Sequence, residues 1–122
     1  MIITKEQVAQ AIITELENNY NEIDIETGLF KNYNTPSRIV WKSNKEGFYP
    51  DIKISQTNGK TNLYEIELTN KINENKWRLF SMFAKLHRGS FYVVIPESMI
   101  QKVKAFIADK NFNNIKLLSV PI

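Results

Sequence analysis

Three carboxylates carry the chemistry that this sequence suggests. Asp51 follows Tyr49-Pro50 at the head of one alternating stretch, and Glu65 and Glu67 flank Ile66 in the next. Three acids on neighbouring strands of one hairpin repel each other at neutral pH, so at least one pKa rises unless solvent or a cation screens them. A hard divalent cation removes the conflict. Mg²⁺ takes oxygen ligands, often only a few of them carboxylates, and leaves its other positions to water and substrate phosphate. A metal held in this way polarises a phosphodiester and helps ionise a water nucleophile. The plain alternative is a solvated sheet face whose acids pair with Lys53 and neighbouring bases.

Whether the acids meet depends on the turn between the two stretches. Asp51–Gln56 alternates Asp51, Lys53 and Ser55 against Ile52 and Ile54; Asn62–Thr69 alternates Leu63, Glu65, Glu67 and Thr69 against Tyr64, Ile66 and Leu68. Thr57-Asn58-Gly59-Lys60 between them is a hairpin signal. A two-residue loop would set Asp51 opposite Ile66, mixing a carboxylate into the apolar face. A three-residue loop with Gly59 in the left-handed position pairs Gln56 with Lys60 and Ile52 with Tyr64. It then sets Asp51 opposite Glu65. Register follows the hydrophobic pattern, so the three-residue loop is expected, with the three acids together on one face. Lys53, two residues after Asp51, shares that face.

The remaining elements must hold this hairpin. Thr4 and Gln7 have capping-box spacing, and Val8, Ile12 and Leu16 with Ala9, Ile13 and Tyr20 build one apolar stripe, which predicts a helix over Lys5–Asn19. Asn21–Ser37, with Gly28, Pro36 and several Asn and Asp, is expected to be a long loop. Arg38–Lys42 is expected to be a strand. Glu74–His87 is a well-buried helix with Asn73 as cap and Gly89 as stop. Phe91–Ile95 is an apolar central strand ended by Pro96, Glu97–Asp109 a third helix and Ile115–Val120 a last strand. The expected fold is α/β, a three-layer αβα arrangement around a central mixed sheet, in the order α-β-β-β-α-β-α-β.

Composition narrows the classes. The 122 residues amount to one domain, 43% hydrophobic and 24% charged with four Gly and four Pro, ordinary values that argue against a disordered chain, a collagen-like repeat or a coiled coil. The absence of cysteine removes disulfides, thiolate zinc sites and a cysteine nucleophile. The longest apolar run, Phe91–Pro96, is too short to span a bilayer, and no secretory signal is visible, so a soluble cytoplasmic protein is expected. No Gly-rich phosphate loop is present. The lone histidine, His87, sits at a helix end where a cation suits the dipole, with no serine or cysteine motif around it.

Pro50-Asp51, Glu65-x-Glu67, the order of elements and the buried helix that follows resemble the PD-(D/E)XK nuclease superfamily, which includes restriction endonucleases, Holliday-junction resolvases and repair nucleases. The resemblance runs over roughly Lys5–Ile95 and implies a restriction-endonuclease-like fold performing Mg²⁺- or Mn²⁺-dependent phosphodiester hydrolysis. Asp51 and Glu65 match the acidic metal-binding pair. Glu67 stands where most members carry lysine; some restriction enzymes are similar in having glutamate there and remain active. Glutamate there ligates metal or accepts a proton rather than supplying positive charge. Two lysines are candidates to replace it: Lys53, and Lys76 in the first turns of the following helix, where many members place a further polar residue. Glu6 matches the acidic residue that some resolvase-like members carry on the first helix.

The net charge of +3, from 16 Lys and Arg against 13 Asp and Glu, suits a polyanionic partner. Arg78, Ser81, Lys85 and Arg88 fall on one helical stripe that phosphates would fit, or that is simply a solvated face. Trp77, Phe80 and Phe83 have core spacing. DNA is the expected partner, bound through Arg78, Lys85 and Arg88, with the chain acting as a homodimer or as one piece of a larger assembly. The competing expectation is a non-catalytic nucleic-acid- or protein-binding module on the same fold.

Overall fold

The Thr57-Asn58-Gly59 loop has the three-residue form. A computed structural model describes residues 2–122. Gln56 N–H donates to the Lys60 carbonyl and Gly59 N–H to the Gln56 carbonyl, each at 2.9 Å. Gly59 adopts φ +88°, which L side chains rarely enter. Strand β4 (Ile52–Gln56) therefore pairs antiparallel with β5 (Thr61–Ile66), with Ile52 opposite Tyr64. Ile52, Ile54, Tyr64 and Ile66 enter one apolar core and Leu63 enters another, on the opposite face of the sheet.

A helix covers each face. Helix α1 (Lys5–Asn19) starts with both bonds of the capping box: Gln7 N–H donates to Thr4 Oγ1 at 3.2 Å, and Thr4 N–H to Gln7 Oε1 at 2.9 Å. Such a cap is worth about 1 kcal/mol. Its buried Val8, Ala9 and Ile13 pack on the face of Ile52, Ile54, Tyr64 and Ile66. Helix α2 (Glu74–Leu86) is capped by the Asn73 side chain, which accepts from Lys76 N–H at 3.0 Å. Its Trp77, Phe80 and Ala84 are buried with Leu63. Phe80 meets Phe91 edge-on at 5.6 Å, and Trp77 meets Phe106 of α3 (Ile100–Asp109) edge-on at 6.0 Å. The core spacing of Trp77 and Phe80 therefore reads true.

Strand β6 (Phe91–Pro96) runs parallel to β5 on one side and to β7 (Ile115–Val120) on the other. A 3₁₀ turn over Glu97–Met99 opens the third helical segment, which spans the expected Glu97–Asp109. The result is a mixed α/β architecture with a five-stranded mixed sheet and three helices.

The expected order of elements needs two corrections. The first strand of the main sheet is β1 (Ile23–Glu26), inside the stretch expected to be loop; it pairs antiparallel with β4, Ile25 opposite Ile54. Four residues in an Asn- and Asp-rich setting carry too short an alternation to stand out, and Ile25 is the one position that burial enforces. Arg38–Lys42 does not join that sheet. Only β2 (Ile39–Val40) is extended, and it forms a separate two-stranded pair with β3 (Gly47–Phe48). Ile39 is apolar because it caps the α2 core. The chain order is thus α-β-β-β-β-β-α-β-α-β rather than α-β-β-β-α-β-α-β.

Gly89 does stop α2, its N–H donating to the Ala84 carbonyl at 2.8 Å. The left-handed residue that ends α2 is Arg88, at φ 62°. Gly89 is needed because the chain passes so close to β5 that a Cβ there would lie 1.7 Å from the Thr61 carbonyl oxygen.

Candidate functional site

Asp51 lies one step beyond the Ile52–Tyr64 pair, so the register carries it toward Glu65. Several contacts fix it. Its Oδ2 accepts the Ile66 backbone N–H at 2.8 Å, and its carbonyl accepts the Thr27 hydroxyl at 2.6 Å. Thr27 is itself fully buried just past β1, and its hydroxyl also accepts Leu29 N–H at 3.2 Å. The residue just past the unexpected first strand thus holds Asp51 in place. The remaining Asp51 oxygen, Oδ1, accepts the Lys5 ammonium of α1 at 3.3 Å.

Glu65 is the buried member. Its side chain is only 3% exposed, a rare condition for a carboxylate. Oε2 accepts the ammonium of Lys76, which comes from the first turns of α2. Oε1 is buried with no hydrogen-bond partner among the described residues. Burial, with the Asp51 charge second, pushes the Glu65 carboxyl up to about 7, and the Lys76 ammonium opposes both. One acid is thus held by a backbone N–H and an ammonium, with its own main chain anchored by a hydroxyl. The other is desolvated and balanced by a single ammonium.

The expected residues divide cleanly. The structure brings Asp51, Glu65 and Lys76 together. Glu67 lies just past β5, and its Oε2 accepts Thr69 N–H at 2.9 Å and the Thr69 hydroxyl at 2.5 Å. It lines, with Lys76, an open cleft of about 610 Å³ at the start of α2. It does not complete a three-acid cluster: no group of three His, Cys, Asp or Glu suited to a metal occurs among the described residues. Lys53 turns to Glu26 at 3.7 Å and stands 5.8 Å over the Phe83 ring. Glu6 is exposed on α1, and its neighbour Lys5 makes the contact to Asp51.

The basic stripe on α2 is largely engaged by the fold. Arg78 donates to the Lys110 carbonyl at 3.0 Å, lies 4.2 Å over Phe112 and approaches Glu74 at 3.4 Å. Arg88 donates to the Asn58 carbonyl in the hairpin loop. Lys85 is exposed and makes no ion pair among the described residues.

Sequence reasoning missed Lys5 and Thr27. Lys5 is far along the chain from Asp51, and only the packing of α1 on the sheet joins them. Its one visible signal was its place beside Glu6. Thr27 had none, because its role depends on the unseen β1. No helix among the described residues is long and apolar enough to cross a membrane. Comparison with protein-family models, with curated proteins and with solved structures found no match.

Proposed function

We propose that this chain is a divalent-metal-dependent nuclease that hydrolyses phosphodiester bonds in DNA, on a fold resembling the PD-(D/E)XK nucleases. The observation that carries the reading is Glu65: a carboxylate 3% exposed, beside Asp51, with one oxygen on the Lys76 ammonium and the other unpartnered. An unsatisfied buried acceptor costs roughly 1–3 kcal/mol, and a bound cation would supply the partner that Oε1 lacks. Two hard oxygen donors on adjacent strands fit Mg²⁺ or Mn²⁺, which fill their remaining positions with water and substrate. Asp51 and Glu65 would hold the cation; Glu67 is turned aside to Thr69. Once bound, the cation polarises a phosphodiester and lowers the pKa of water.

The chain's own groups do the rest. Ile66 N–H and Thr27 keep Asp51 aimed, so little reorganisation accompanies binding. Lys76 supplies the positive charge that glutamate at position 67 cannot, and it steadies negative charge developing on phosphate oxygens. Lys5 balances Asp51 until a cation arrives. Lys85 is the basic stripe residue left free to meet a phosphate backbone.

The test is nicking of supercoiled plasmid with Mg²⁺ or Mn²⁺. Open circles should form only with the cation and disappear in Asp51→Asn, whose calorimetric titration should also lose cation binding. The second reading, a binding module without catalysis, is favoured by the two ion pairs that already occupy both acids. It stands if the parent chain retains plasmid yet neither cation changes its melting temperature.

A further inference from the structure

The C-terminal half of α2 borders a groove that the proposed chemistry does not use. Met82 and Leu86 stay 47% and 80% exposed on the outer side of a helix whose inner side is buried. Facing them is the segment from Ser37 to Ser43, which adds the exposed Val40. The space between measures about 780 Å³. Contiguous exposed aliphatic groups on a small protein mark a contact surface, and methionine adapts readily to a partner's shape. The lysines and the arginine in the lining give it one sign of charge. Arg38, Lys42, Lys53 and His87 reach the groove and, among the described residues, no Asp or Glu does.

We propose that this groove docks an acidic amphipathic helix of a protein partner. Apolar anchors at i, i+3 or i+4, and i+7 would seat on Val40, Met82 and Leu86, while the partner's carboxylates face Arg38, Lys42 and Lys53. Charge complementarity selects this occupant. A second copy pairing symmetrically through the same surface would set basic rim against basic rim. An unpaired nucleic-acid strand matches the charge but needs open aromatic faces to stack on. Those faces are occupied: Lys53 stands 5.8 Å over the Phe83 ring, the His87 ring lies 4.4 Å from it, and Trp41 packs against the core. What remains exposed is aliphatic. Lys53 reaches its own Glu26 only at 3.7 Å, a long contact that an incoming carboxylate can replace, and Lys42 has no ion pair among the described residues.

The test uses the full chain and NMR, with three probes: a short synthetic helix of Leu anchors and Glu elsewhere, the same helix with Lys for Glu, and oligothymidylate. The Glu helix should shift the Val40, Met82 and Leu86 signals and bind at least about tenfold more tightly than the Lys helix, a difference of roughly 1.4 kcal/mol. Leu86→Asp should weaken it by a similar factor without lowering the melting temperature, since that side chain is exposed. Asp51→Asn should leave peptide binding intact, which separates this surface from the acidic pair. Three results overturn the proposal: no preference between the two helices, stronger shifts of the same signals with oligothymidylate, or concentration-dependent shifts of those signals in the chain alone.

Discussion

Two lysine–carboxylate pairs close the end of this sheet, and they differ in kind. Lys5 and Asp51 lie 3.3 Å apart with side chains 39% and 14% exposed, and Asp51 has backbone support of its own. Lys76 and Glu65 sit deeper, with Glu65 almost wholly buried and one oxygen unserved. A pair at the rim gains little, because water already screens it. A pair in the interior has surrendered hydration that its mutual attraction only partly restores. On the α1 side of β5, Tyr64 and Ile66 are apolar; on the α2 side, Glu65 interrupts a core of Leu63, Trp77 and Phe80. The contrast teaches where the fold gives up stability, and it does so at the one buried carboxylate among the described residues.

The largest way to sharpen this contrast is Glu65→Gln. The proposed cation-dependent nicking should fall by about a thousandfold or more, roughly 4 kcal/mol of barrier, while the chain melts no lower than the parent. A variant that nicks at the parent rate sinks the assignment of Glu65. Next is Lys76→Met, which strands a buried carboxylate and should cost about 3 kcal/mol at pH 8 in urea unfolding. Adding Glu65→Gln should return most of that loss; if it does not, the buried charge is not the cause.

The third effect is the pH dependence of stability without metal. The Glu65 carboxyl titrates near 7 in the folded chain against 4.5 as its ordinary value, so the native state holds its proton longer. Its contribution to stability is full below about pH 4.5 and is lost as pH rises through about 7. Melting curves of the parent minus those of Glu65→Gln should show that decline and then level off. Smallest is Lys5→Met, expected to cost less than about 1 kcal/mol and to converge with the parent at high salt. A larger cost would erase the distinction between the two pairs.

Much of this was legible in the residues themselves. The alternation of Ile52 and Ile54 against Tyr64 and Ile66 admits one register, and Asn58-Gly59 names the loop that produces it. Thr4 and Gln7 announce the start of α1, and the Trp77–Leu86 pattern announces α2. Lys76 was readable as a candidate only through the resemblance to the PD-(D/E)XK nucleases, which implies a further polar residue in the first turns of the helix after the acidic strand. What escaped depends on contacts between distant segments. Lys5 meets Asp51 only because α1 packs on the sheet. Arg78 reads as a free base until Phe112 and the Lys110 carbonyl arrive beside it. Strand β1 is held by its partner β4 and not by its own four residues. Side-chain pattern reports burial well and reports long-range partners poorly.

The tight passage of Gly89 against Thr61 has a mechanical consequence. It fastens the tail of α2, together with Ser90 N–H on the Asn62 side chain at 2.8 Å, while the ammonium of interest rides near the head. A helix of 13 residues is a rigid lever about 20 Å long, so a tilt of roughly 5° at the pivot swings the far end by nearly 2 Å. Misplacement by about 1 Å is enough to slow an enzyme a hundredfold. Swelling the pivot by one carbon atom should therefore displace Lys76 at the other end of the helix and, on the proposed reading, slow strand scission.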